Sequence, residues 1–354
     1  MVHPMFRRRT FARLAAAASL FSSVANAQPQ AAALSRIAFG SCADQNLPQP
    51  IWDAILAWRP DLFIFAGDNV YGDFRTADAD ALKRAYATAA MVPGYARLME
   101  TVPHLAIWDD HDYGLNDGGV EFAHKQIAKD EFLAFWKVAT DSPRRSREGL
   151  YDAQIFGPPG RRVQVILLDT RWFRSPLKIT DQRGAAGKER YLPDSDPAKT
   201  MLGAAQWAWL DAELRRPAEL RLIVSSTQVL AGGHGWERWG NLPLERQKLF
   251  DTIANTGARG VIFLSGDRHI GALYRETPPG LYPLVEITSS GINKVFRAAK
   301  EAGPNRVGDL LAQENFGTID IDWPARRLTL ALRGLGGKVE RSLDLRFDEL
   351  RRPG

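Results

Sequence analysis

Three acidic stretches hold most of the residues able to do chemistry in this 354-residue chain. The first, "GDNVYGD", puts Asp68 straight after a glycine and Tyr71 within one turn of it. The second, "WDDHDYGLND", holds Asp109, Asp110, Asp112 and Asp117, with His111 and Asn116 among them. The third, "GDRH", sets Asp267 and His269 two residues apart. Carboxylates this close repel unless protons or cations compensate. A single Gly-Asp pair reads equally well as a turn or a helix cap. The second stretch is different, because it opens directly from the apolar "HLAIW". A bound divalent or trivalent metal accounts for it better than a solvated loop.

Cys42, in "RIAFGSCADQ", is the only cysteine. One cysteine forms no internal disulfide, so it is either a small core residue or a thiolate ligand.

These residues share a placement. Six apolar runs end in polar side chains: "RIAFGSC" in Cys42, "LFIFAGDNVYGD" in Asp68 and Tyr71, and "HLAIWDDHDYG" in the acidic cluster. "VQVILLDTR" ends in Asp169 and Arg171, "LIVSSTQ" in Gln228, and "VIFLSGDRH" in Asp267 and His269. Apolar runs without alternation read as strands buried on both faces. Helical faces lie between them: Ile51, Ile55 and Trp58; Trp207, Leu210 and Leu214; Leu249, Phe250 and Ile253. Strands separated by helices pair largely in parallel, and such sheets gather ligands beyond the carboxyl ends of their strands. After residue 315 apolar residues alternate with polar ones, as at Ile319, Ile321 and Trp323, or Leu328, Leu330 and Leu332. That pattern predicts half-buried antiparallel strands. The expected fold is α/β, a four-layer α/β/β/α sandwich of two mixed sheets flanked by helices. Stretches 172–200, 230–242 and 291–310 read as long binding loops. Trp236 and Trp239 in the second could meet a lipid or a sugar phosphate. His104 falls inside a strand and reads as core, and His124 reads as an exposed helix residue.

Taken together and in order, "FGSC", "GDNVY", "WDDHDYGLND", "LDTRWFR", "RYLPDSDPAKTMLGAAQWAWLDAEL" and "SGDRHIG" resemble the PhoD-like, or alkaline phosphatase D, branch of the calcineurin-like metallophosphoesterases. The resemblance extends from residue 36 to about 290. It implies a metallophosphoesterase fold without the extra N-terminal β domain of longer members. It also implies Fe3+ and Ca2+. Thiolate and phenolate suit ferric iron, and carboxylates and amides suit calcium. Carried onto this chain, Asp68 bridges two metals, since one carboxylate has two oxygens. Cys42, Tyr71 and His269 favour the iron; Asp110, Asn116 and Asp267 favour the second metal. His111 takes the catalytic position, and Asp112 would fix its tautomer and raise its basicity. Arg171 is either a phosphate clamp or a structural partner of Asp169. The family's remaining histidine has no clear counterpart; Gln228 and His234 lie near its place.

The function implied is metal-dependent hydrolysis of a small phosphate ester, of the alkaline phosphatase D type. A phospholipase D-like phosphodiesterase is the alternative within that chemistry. A non-catalytic phosphate or metal binder would have no need of His111. A cysteine hydrolase built on Cys42 would leave the acidic clusters unexplained.

The N-terminal stretch has a basic head, an apolar middle and an Ala25-Asn26-Ala27 pattern, the signature of a cleaved signal peptide over residues 1–27. Arg8-Arg9 before Phe11 resembles a twin-arginine signal, which implies a passing encounter with that translocase and a periplasmic or secreted protein. The apolar run is too short to anchor the chain stably. Residues 28–354 are then one catalytic domain. The formal net charge of +5 includes Arg7, Arg8, Arg9 and Arg13; removing them leaves about +1. With no basic stripe elsewhere, nucleic-acid binding is not expected.

Overall fold

The computed structural model describes Met1 and residues 32–352. The expected signal peptide and its cleavage site lie outside the described residues. Ala31–Gly354 forms one compact unit.

In chain order the strands are β1 (Arg36–Gly40), β2 (Leu62–Ala66), β3 (His104–Ile107), β4 (Asp152–Phe156), β5 (Val163–Leu167), β6 (Lys178–Ile179) and β7 (Tyr191–Leu192). Then follow β8 (Leu220–Ser225), β9 (Val261–Ser265), β10 (Gly271–Glu276), β11 (Leu284–Ser289), β12 (Phe316–Asp322), β13 (Arg327–Arg333) and β14 (Val339–Arg346). The helices are α1 (Ile51–Trp58), α2 (Asp80–Ala90), α3 (Pro93–Thr101), α4 (Asp110–Tyr113), α5 (Lys125–Phe135), α6 (Pro143–Ser146), α7 (Gly203–Leu214) and α8 (Pro243–Thr256).

The six apolar runs are β1, β2, β3, β5, β8 and β9. Together with β11, they build the parallel parts of two six-stranded mixed sheets. The first has the order β14-β13-β12-β1-β2-β3 and the second β10-β11-β9-β8-β5-β4. All five residues of β2, "LFIFA", are buried, as parallel central strands require. The alternating C-terminal segment forms the antiparallel β12–β14. β12 departs from half-burial: Thr318 is sealed too, because the strand lies between β1 and β13.

Helices flank both sheets, giving the four-layer sandwich. Helix α1 buries Ile51, Trp52 and Ile55, and Trp58 is only half-buried. Trp52 takes the place expected for Trp58. It meets Phe63 edge-on with ring centroids 5.8 Å apart, and Tyr95 at 5.4 Å. Truncating an aromatic side chain so packed costs ~3–5 kcal/mol. Helices α7 and α8 bury the expected faces. No helix among the described residues is long and apolar enough to cross a membrane.

The sheets meet where the parallel strands end. Ser41 N, just past β1, donates to Ser289 O at the end of β11, 3.1 Å away. This contact brings the polar tails of both sheets into one place.

Candidate metal and catalytic centre

The loops that follow the strands adopt, at several positions, backbone conformations that L-residues avoid. Cys42, Asp68, Asp117, Asp267 and His269 have φ of 61°, 48°, 53°, 65° and 56°. Non-glycine residues held this way cost about 1–3 kcal/mol each and cluster at functional sites. The glycines before two of the aspartates let the chains close in. Gly67 has φ 99°, and a Cβ there would lie 2.5 Å from Asp109 Cβ. A Cβ on Gly266 would lie 2.4 Å from Ser41 Oγ. These approaches aim Asp68 and Asp267 into a cavity of about 200 Å³ that Asp110, His111, Asn116 and His269 also line.

Within it the side chains interlock. Cys42 Sγ lies 3.4 Å from Asp68 Oδ2 and 3.1 Å from Ser290 Oγ. Tyr71 Oη lies 3.1 Å from the same Asp68 oxygen and 3.2 Å from His269 Nε2. Ligand atoms fall into overlapping groups, each within 4.8 Å: Cys42, Asp68 and His269; Asp68, Asp110 and His111; Asp109, Asp110 and Asp267; Asp110, Asp117 and Glu237. Asp68 and Asp110 each belong to more than one group. Asn116 lines the cavity, and its backbone N–H donates to Asp73 Oδ1 at 2.8 Å.

Without cations this cluster resists ionisation. Burial lifts Asp68 well above the carboxylate range, and the Cys42 and Asp110 charges add to it. Burial does the same to Asp267, with Asp109 and Glu237 contributing. The Cys42 thiol is pushed up to about 11 by burial. Burial and then Asp68 raise Tyr71. Burial and Arg268 lower His269 to about 4. Asp110 moves the other way: burial opposes its charge, but His111 and Arg171 outweigh it and hold the carboxyl low. His111 is the counterpart, raised to about 11 by Asp110, Asp68 and Asp73 against its burial. Asp110 Oδ1 and Asp109 Oδ2 are buried with no hydrogen-bond partner. Orphaned anionic oxygens beside a thiol and a phenol fit metal ions, which supply the missing positive charge.

The structure corrects two assigned roles. Asp112 does not reach His111. Its Oδ1 accepts from Asp109 N at 2.5 Å and its Oδ2 from Asn69 Nδ2 at 2.5 Å, so it locks the loop after β3 to the loop after β2. Asp73 stands beside the histidine instead, with Oδ2 2.6 Å from His111 Nδ1. Arg171 is not free to clamp phosphate. Its side chain is fully buried, with Nε 2.6 Å from Asp109 Oδ1 and Nη1 2.7 Å from Glu237 Oε2. Asp169 engages only its backbone N–H.

Gln228 and His234 bond to each other, Oε1 to Nε2 at 3.1 Å, in an interior network with Tyr274 and Thr288. Neither lines the cavity. Trp236 lines it, but Trp239 is buried and donates to Ser225 Oγ. His104 lies in β3 as expected but is half-buried rather than part of the core, packing edge-on against Phe65. His124 is half-buried rather than exposed; it precedes α5 and stacks on Phe74.

Sequence reasoning missed Asp73 and Glu237. Asp73 closes the quoted "GDNVYGD", five residues after Asp68, so its signal was present. Glu237 comes from "GWERWG", where only the long-range pairs with Arg171 and Arg174 bring it to the site.

No curated protein sequence matches the chain. Among solved structures, one described as the structure of PhoD superposes with a TM-score of 0.69 at 16% identity, covering 91% of this chain and 71% of that one. The purple acid phosphatase PPD1 from yellow lupin (Lupinus luteus) seeds gives 0.60 at 11% identity, covering 90% and 55%. GAP50, the anchor in the inner membrane complex of Plasmodium, gives 0.58 at 12% identity, covering 89% of each chain. The sequence profile described as PhoD-like phosphatase matches residues 37–315. Spanning well over half of the sequence, that match shows that the chain belongs to the PhoD-like phosphatase family.

Proposed function

We propose that this phosphoesterase is an exported hydrolase of small phosphate esters whose metal centre combines ferric iron with calcium. One observation carries the reading: overlapping ligand groups share Asp68 and Asp110, and His111 stands beside them with a carboxylate on its Nδ1. Cys42, Tyr71 and His269, with Asp68, would hold iron, because thiolate and phenolate are donors for that ion. Asp110, Asn116 and Asp267, again with Asp68, would hold calcium, and Asp117 and Glu237 extend this oxygen-rich side. Bound metals supply polarisation of a phosphoryl oxygen and acidify water to near neutral pKa.

The chain's own residues do the rest. Asp73 orients the His111 ring through Nδ1 and favours its doubly protonated, cationic form, so that Nε2 also carries a proton. Nε2, with no protein partner among the described residues, then donates a proton to the departing oxygen. Asp112 and Asn69 keep the two acidic loops in register. From behind the cavity wall, Arg171 holds Asp109 and Glu237 in place. A purely binding protein gives no reason for the His111–Asp73 pair.

The test is metal analysis of purified protein together with hydrolysis of a generic phosphomonoester and phosphodiester. Turnover of either that His111→Ala removes, with metals retained, supports the reading. Metal-replete protein inert toward both would reject it. Export rests on the twin-arginine pattern at Arg8-Arg9. Replacing both with lysine should empty the periplasmic fraction, and undiminished export would reject that part.

A further inference from the structure

Sealing Arg171 behind the site leaves open which cation meets the negative oxygens of a phosphoryl group. The side chains lining the cavity include two arginines, Arg190 and Arg268. Arg268 is sealed: its side chain is 6% exposed, Nη2 is bonded to Glu301, itself 4% exposed, and Nε is buried without a partner. Both arginines pack on the Trp236 ring and each pairs with one carboxylate, but Arg190 is open to solvent. Its side chain is 31% exposed. Nη1 is bonded to Asp117, while Nε and Nη2 have no partner among the described residues. Its guanidinium carbon sits 5.1 Å from the Trp236 ring centroid, so an aromatic face backs the cation and limits its freedom. Asp117 is steadied in turn by Tyr191 Oη at 2.8 Å. Arg190 also walls a second cavity of about 180 Å³, lined with Ile179, Thr180, Arg183 and Tyr191 under the β6–β7 hairpin. A solute can therefore reach it from two sides.

Building on the hydrolase reading, we infer that Arg190 is the substrate-binding guanidinium of this site, gripping two phosphoryl oxygens through Nε and Nη2. The planar fork of arginine matches that geometry, and one arm already tied to Asp117 leaves the other edge aimed without further ordering. The hairpin loop between β6 and β7 thus delivers a solvent-open guanidinium, where the strand-end loops offer only the sealed Arg171 and Arg268.

The probe is inorganic phosphate. Wild type and Arg190→Gln are loaded with the same metals, metal content is measured, and phosphate affinity is read by calorimetric titration. Losing a charge-assisted pair should weaken binding about 10- to 100-fold with metal content unchanged. Arg190→Lys, which keeps the charge but not the fork, should recover part of the loss, and it carries the test if the glutamine variant fails to fold. Phosphate affinity within about twofold of wild type in a metal-replete variant overturns the assignment. So does loss of metal along with phosphate, since Arg190 would then act only by holding Asp117. A wild type that binds phosphate through Arg190 yet cleaves no ester would reject the hydrolase reading and leave this assignment standing.

Discussion

Asp73 Oδ2 lies 2.6 Å from His111 Nδ1, and this contact joins the loop after β2 to the loop after β3. The carboxylate next to His111 in sequence, Asp112, points elsewhere. Asp73→Asn should therefore lower kcat about 10- to 100-fold and shift its pH profile, with metal content unchanged, as loss of an orienting carboxylate does. Asp112→Asn should lower Tm and leave the shape of the profile alone. Equal effects of the two variants on the profile would reject the division of roles.

Cys42→Ala should lose iron and activity together, and Cys42→Asp should keep part of both by supplying another anionic donor. Metal analysis and kcat on the same preparations decide it. Wild type loaded with ferric iron should show visible charge-transfer absorption whose phenolate component Tyr71→Phe removes. Full iron occupancy in an active Cys42→Ala protein would return the thiol to the core.

The same thiol predicts a pH dependence in the metal-free protein. Burial raises its pKa from 9.0 to about 11. The folded state therefore keeps a proton that the unfolded state has released. Stability from this group is complete below pH 9 and is lost as pH rises toward 11, by about 2–3 kcal/mol. Urea midpoints of metal-free wild type should fall more steeply over that window than those of Cys42→Ala. With a thiolate already bound to metal there is no proton to lose, and the difference should vanish.

Arg171 gives a stability prediction where a phosphate clamp would give a kinetic one. Arg171→Met strands Asp109 as a buried carboxylate without its cation and leaves Glu237 with Arg174 alone. Breaking such a pair costs ~3–5 kcal/mol. Denaturant unfolding should show that loss. A raised KM with unchanged stability would restore the clamp.

The layers of this fold were legible because burial writes itself into composition. Strands covered on both faces need unbroken apolar runs, and six such runs gave six parallel strands. Half-covered strands alternate, which identified β13 and β14. Most candidate ligands were legible because they follow a strand closely: Cys42, Asp68, Asp110 and Asp267 each stand within three residues of a strand end. His111's partner was not. Successive residues of a helix point about 100° apart, so adjacency in "DDHDY" says little about which carboxylate faces the ring. Glu237 was illegible for another reason: nothing local places it, and only two buried guanidinium groups across the fold do. Arg171 looked available because sequence shows its charge and hides the two acids that consume it.

The left-handed backbone at Cys42, Asp68, Asp117, Asp267 and His269 bears on evolutionary drift. Glycine adopts this conformation freely and asparagine tolerates it, while a thiol or imidazole side chain gains nothing from it. A descendant released from its chemistry would regain stability by exchanging these side chains for glycine or asparagine. Such exchanges at several of the five positions, with the strands intact, would mark a lineage that kept the scaffold and gave up catalysis.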